Sequence, residues 1–204
     1  MNDMTIFRPK SIATPADVVG LPAEVLDMMD YSVIPTIVND GEMFKVRNSS
    51  WKPSLISDGF DAIILDQESY EYHKCSDSNH AVPGYYTRDG ETDQKGEPIS
   101  ATQQMWADDG LTFTKHEYLQ FKVFIVSPEP LFRQMALVTI SPTSVKRARA
   151  YIAIDLKLSQ GLEPWQAITH FGLAESVRSR SGKSYHPWAL HFVRPVEAEA
   201  EETA

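Results

Sequence analysis

The stretch Tyr118-Leu119-Gln120-Phe121-Lys122-Val123-Phe124-Ile125-Val126-Ser127 decides the fold class. Its residues alternate with period 2, which puts Leu119, Phe121, Val123 and Ile125 on one face of a strand and Tyr118, Gln120, Lys122 and Phe124 on the other. The first set reads as core. The second mixes rings with a cation. Pro128-Glu129-Pro130 ends the strand. Arg133–Ile140 reads as a second strand, apolar through Met135–Val138.

Downstream, Ser141-Pro142-Thr143-Ser144 reads as a helix start with proline at the first helical position. Val145–Gln160 is the helix, with Val145, Ala148, Ile152 and Leu156 on one stripe and Gly161 as its C-cap. Tyr151–Leu158 also alternates and would suit a strand, but the signals at both ends favour the helix. Ile168–Arg178 and Tyr185–Arg194 then read as two strands joined by a turn that contains Gly182 and three serines. Arg178, Arg180 and Lys183 lie at or near the tip of that hairpin, followed by Tyr185, His186 and Trp188. Residues 197–204 form a short acidic tail.

Upstream, Asp40-Gly41 signals a hairpin between Val33–Val38 and Met43–Asn48. On the second of these strands Met43, Lys45 and Arg47 share a face. Trp51 follows in a loop. Asp61–Lys74 is a longer strand: Ala62–Leu65 is continuously apolar, as burial on both faces requires, and the remainder alternates to align Tyr70, Tyr72 and Lys74. Residues 75–116, with four glycines and many Asp, Ser and Thr, read as a long irregular insertion holding Tyr85, Tyr86, Arg88 and Trp106; at that length it is a functional loop or only partly ordered. Residues 1–32 read as an arm or capping element, with a helix start at Thr14-Pro15-Ala16-Asp17 and a short helical pattern over Pro22–Met29. Residues 33–196 therefore form the domain. It is mainly β with one or two helices, and an OB-like Greek-key antiparallel barrel with a long insertion fits the order of elements.

The charge is divided along the chain. Residues 1–114 hold 8 Lys and Arg against 19 Asp and Glu, net −11; residues 115–196 hold 11 against 5, net +6; the tail is −4. Such asymmetry speaks to partners more than the total of −9 does. No run of about eighteen apolar residues occurs, so no membrane span is expected. The N-terminus lacks the pattern of a secretory signal, and the one cysteine, Cys75, excludes an internal disulfide, so a cytoplasmic protein is expected.

Chemistry with a sequence signature is sparse. Ser181-Gly182-Lys183-Ser184 lacks the upstream glycine and the following helix of a phosphate-binding loop. His73, Cys75, His80 and His116 follow no zinc-ligand spacing, so no metal or other cofactor is expected. Carboxylates such as Asp58, Asp61, Asp66 and Glu68 are plentiful, which keeps a metal-dependent nuclease as an alternative. A module that binds a host protein through the acidic half is another, and a virion structural protein assembled through the N-terminal arm a third. Aromatics alternating with cations favour a non-enzymatic surface for single-stranded nucleic acid, because bases stack on rings while phosphates pair with Lys or Arg. The cations are Lys45, Arg47, Lys74, Lys122, Arg178, Arg180 and Lys183. The rings are Trp51, Tyr70, Tyr72, Phe124, Tyr185 and Trp188. The tyrosines equally suit half-buried strand positions.

Leu119–Ser127 and Met135–Pro142, the helix Val145–Leu158 with Gly161, the span from Trp165 through Phe192 and the acidic terminus resemble bacteriophage-encoded single-stranded-DNA-binding proteins built on an OB fold. The resemblance covers roughly the last ninety residues. It implies sequence-tolerant protection of single strands during replication or recombination in the cytoplasm of the host. The −4 tail beside the +6 segment suggests a further expectation: the tail covers the groove until DNA displaces it and then engages replication or recombination proteins. Similar phage proteins often carry several cysteines, suggestive of zinc, after the second strand; here Cys75 stands alone.

Overall fold

The computed structural model describes residues 14–20, 34–75, 84–179 and 182–196. The elements in chain order are α1 (Pro15–Val19), β1 (Thr36–Asn39), β2 (Phe44–Arg47), β3 (Phe60–Cys75), β4 (Tyr85–Thr87), α2 (Ile99–Asp108), β5 (Phe113–Ser127), β6 (Met135–Ile140), α3 (Pro142–Ala150), β7 (Ala167–Leu173), β8 (Val177–Arg178), β9 (Ser184–Tyr185) and β10 (Trp188–Pro195). Seven strands form one curled sheet in the order β10-β7-β3-β5-β6-β1-β2; β4 adds to the far end of β3, and β8 with β9 forms a separate ribbon. As expected, the chain is mostly β, and the sheet is a half-barrel compatible with an OB-like barrel.

The curl is closed by aromatic packing. Phe44 on one edge strand meets Trp188 on the other, ring centroids 4.9 Å apart. Phe60 and Phe171 stack beside them at 5.1 Å. Val145, Ala148, Tyr151, Ile152 and Leu156 cover the concave face, together with the core residues of β5 and β6. Leu119, Phe121, Val123 and Ile125 all point into this core, as the alternation requires.

A β-bulge in β3 sets the rest of the sheet. Ile64 pairs with Val123 and Asp66 with Lys122, so Leu65 is the extra residue. Before it, Ala62 and Ile64 face the main core while Ile63 and Leu65 join a second cluster with Ile168 on the convex face. After it the parity reverses, and Tyr70, Tyr72 and Lys74 point outward. The near end of that convex face is covered by Val18 of α1 and by Trp165. α1 starts with the expected signal: the Thr14 side chain and Asp17 form a capping box, with Pro15 in the first turn.

Several local expectations are corrected. β1 runs parallel to β6, so the sheet is mixed. The helix after Ser141 is α3 followed by a π-helix over Tyr151–Gln160, ended by Gly161 with φ 67°. The hairpin expected from Ile168 to Arg194 divides into the β7–β10 pair and the β8–β9 ribbon. The stretch expected to be irregular contains β4 and α2, and the first residues of β5 pair with the end of β3 as an arm. Ile99 and Trp106 of α2 are buried against Tyr85 beneath that arm. The helical pattern over Pro22–Met29 and the acidic tail lie outside the described residues.

Replacing Trp188 by alanine would open a cavity where the two sheet edges meet, at a cost of about 3–5 kcal/mol. Urea unfolding is expected to show a loss of that size; a loss below about 1 kcal/mol would contradict the closure described.

Candidate nucleic-acid interface

The pairing register gathers one convex surface. Tyr70 lies opposite Tyr118, Tyr72 opposite His116 and Lys74 opposite Thr114. Tyr86 on β4 lies opposite Tyr72. Across β6, Thr139 pairs with Gln120 and Leu137 with Lys122. β1 continues the surface with Val38 beside Thr139 and Thr36 beside Leu137, and β2 completes it with Lys45 opposite Val38 and Arg47 opposite Thr36. Residues paired in register share a face. Lys45, Arg47, Tyr70, Tyr72, Lys74, Lys122 and Phe124 therefore stand on one side of one sheet.

Four tyrosines form a continuous strip there. Tyr70 stacks on Tyr118 with centroids 5.3 Å apart and planes 3° apart. Tyr86 meets Tyr70 edge-on at 5.7 Å and leans over Tyr72 at 4.6 Å. Tyr86 is 45% exposed, the most open of the four. Burial pushes the Tyr70 hydroxyl up to about 12; Tyr86 and Tyr118 add to the shift and a hydrogen bond with Thr139 opposes it. Burial also raises Tyr118, with Tyr86 and Tyr72 contributing. Tyr70 and Tyr118 thus stay neutral near pH 7, which suits contact with a polyanion.

The charges on this face are mixed. Arg88 places one guanidinium nitrogen 2.6 Å from both carboxylate oxygens of Glu68. Lys45 pairs with Asp40 at 2.5 Å. That ammonium, then the amides of Met43 and Glu42, hold the Asp40 carboxyl down to about 2. Arg47 and Lys74 are exposed and in no ion pair among the described residues. Lys122 is only 7% exposed, so its ammonium lies in the sheet surface rather than above it.

The remaining expected site residues separate. Trp188 is corrected outright: it is fully buried, its indole N–H donates to the Thr139 carbonyl at 3.1 Å, and no base can reach its face. Trp51 is half-buried against the main core, and Phe124 is half-buried in the convex cluster near α1. Arg178 and Lys183 are exposed on the β8–β9 ribbon, with the Arg178 Nε donating to the Gly182 carbonyl at 3.1 Å. The segment after this ribbon is tied to the β1–β2 turn: the His186 amide donates to the Gly41 carbonyl at 2.6 Å, and Asn39 Nδ2 donates to the His186 carbonyl at 2.6 Å. A Cβ on Gly41 would come within 3.3 Å of the Tyr185 Cβ, and Gly41 has φ 103°, so glycine is required there. Arg180 lies outside the described residues. Tyr86 and Tyr118 belong to the strip but were not among the expected site residues. The alternation of Tyr118 with Gln120 was the available signal; for Tyr86 a three-residue strand carries none.

Beneath the arm, on the opposite face, His73 is wholly buried. Gln103 donates to the Tyr85 hydroxyl oxygen at 2.9 Å, so the Tyr85 O–H donates to His73 Nδ1 at 2.8 Å and His73 Nε2–H donates to Glu71 at 2.6 Å. Lys115 closes the chain at 3.3 Å from Glu71. This network holds β3, β4, α2 and β5 together and opens to no cavity among those described. Among the described residues no three His, Cys, Asp or Glu gather as a metal site.

No match emerges from the comparisons. No family model, curated protein or solved structure matches this chain.

The raised tyrosines have a consequence at high pH. Tyr70 and Tyr151 both titrate near 12 in the folded chain against 10 ordinarily. Their contribution to stability is fully present below pH 10 and is lost as the pH rises through about 12. A spectrophotometric titration is expected to show a group of tyrosines that ionise late, one fewer in Tyr70→Phe; ordinary titration of all eight would contradict the packing of the strip.

Proposed function

We propose that this chain binds single-stranded DNA, tolerant of sequence, across the convex face of its sheet. The observation that supports the reading best is the strip Tyr118-Tyr70-Tyr86-Tyr72 in one plane of register with Lys74 at its end and Lys45 and Arg47 across β1 and β2. Bases stack on rings whatever their identity, and spaced cations follow the phosphates. A duplex hides its base faces, so an unpaired strand is the form that uses exposed rings. Asp66 and Glu68 on the same face limit how much of the affinity comes from charge, which leaves the rings as the main term. The resemblance of the later half to phage single-stranded-DNA-binding proteins supports the same reading, with protection of replication or recombination intermediates in the host cytoplasm as the role. The acidic tail is proposed as the segment that engages replication or recombination proteins.

Anisotropy of a labelled oligothymidylate tests this directly. Tyr86→Ala removes one stacking platform, worth roughly 1–3 kcal/mol, so Kd should rise between about 5-fold and 150-fold. With two to four phosphates neutralised, log K should fall against log salt with a slope between about −1.4 and −2.8. Unchanged binding by Tyr86→Ala, or an affinity indifferent to salt, would remove the proposal.

A further inference from the structure

On the other side of the molecule an open groove of about 490 Å³ runs between β10 and the helical segment after β6. β10 borders it along Trp188–His191, and the wall on the helical side carries Arg147, Ile154 and Asp155. That volume is in the range of functional binding clefts. The wall is formed largely by the π-helix, a conformation that is rare and concentrated at functional sites.

The backbone of β10 gives the groove its chemistry. β10 ends the sheet, and among the described residues no strand pairs with its outer side. The Trp188 amide donates to Ser144 Oγ at 2.9 Å, away from β7. In an antiparallel pair the groups that point away from the partner recur at every second residue. The N–H and C=O of Leu190 therefore also point outward, into the groove. An extended chain that adds to this edge would pair with Leu190 and could continue no further than Trp188, whose amide Ser144 already occupies. A strand running antiparallel to β10 thus stops at the Trp188 end.

Arg147 stands near that end, one helical turn past Ser144. It makes no ion pair among the described residues, whereas its neighbours Arg149 and Lys157 are held by Glu117 and Glu163. Ile154 is an apolar residue left 52% exposed on the same wall. We infer that this groove receives the free C-terminus of a partner polypeptide as an added strand, with an apolar terminal side chain against Leu190 and Ile154 and the terminal carboxylate on Arg147. Such strand addition derives affinity from main-chain hydrogen bonds and selectivity from the pockets beside them.

The test uses the full chain and a display library of random hexapeptides with free C-termini; the most enriched peptide is then synthesised with a free and with an amidated terminus. The proposal expects enrichment of an apolar last residue, at least a tenfold weaker Kd for the amidated form, and a similar loss for Arg147→Glu with the free form. Ile154→Asp, at a half-exposed wall position, should weaken binding without disturbing the fold, and Arg147→Lys should retain most of it. Amide shifts on peptide addition should centre on Leu190. Arg147→Glu should leave oligothymidylate binding unaltered, since the tyrosine strip lies on the opposite face. No enrichment, equal binding of free and amidated peptide, or shifts centred on another face would each overturn the inference.

Discussion

One extra residue in β3 governs what each side of this sheet can do. Without the bulge at Leu65, a strict two-residue repeat would carry the inward face of Ala62 and Ile64 on to Asp66, Glu68, Tyr70 and Tyr72. Carboxylates would then enter the core face, and the rings would leave the convex face. With it, the first half of β3 can be apolar on both sides, and the second half can display tyrosines outward while His73 points under the arm. The apolar run through Leu65 stabilises the bulge, because both of its faces are covered: one by the main core, the other by Val18 and Trp165.

The two faces then follow different energetics. On the concave side the dominant effect is burial: Phe44, Phe60, Phe171 and Trp188 bring edge strands that are far apart in sequence into contact. Each such aromatic removes about 150–250 Å² from water, which outweighs any single hydrogen bond. On the convex side the exposed ion pairs Lys45–Asp40 and Arg88–Glu68 contribute little to stability, since exposed pairs are typically worth under about 1 kcal/mol. Their effect is to fix which charges remain available to a partner. Arg47 and Lys74 remain so, Lys74 at the end of the strip and Arg47 on β2, across β6 and β1 from it.

The alternation of Tyr118–Ser127 was enough to assign both faces of β5, and the caps around Thr14 and Gly161 marked real helix ends. What escaped had no local signal. The parallel pairing of β1 with β6 joins residues about a hundred apart in the chain. Helix α2 has no side-chain cap, and Ile99 and Trp106 are its only buried residues. Trp188 follows a basic, serine-rich turn and so looked like a surface ring; Phe44 from the far edge, together with Phe171, buries it. Tyr70 and Tyr72 were legible because their half of β3 alternates cleanly, yet their partner Tyr86 comes from a three-residue strand that pairs in space, not in pattern.

The claim that the convex tyrosine strip is where an unpaired strand lies can be read residue by residue. Photo-crosslinking of an iodouracil-substituted oligonucleotide to the full chain, followed by peptide mapping, reports which rings stack on bases. Crosslinks at Tyr86 first and Tyr72 or Tyr118 next are the expected result, with none at Trp188. Crosslinks confined to residues of the concave side or the groove along β10, or none to any tyrosine of the strip, would contradict it.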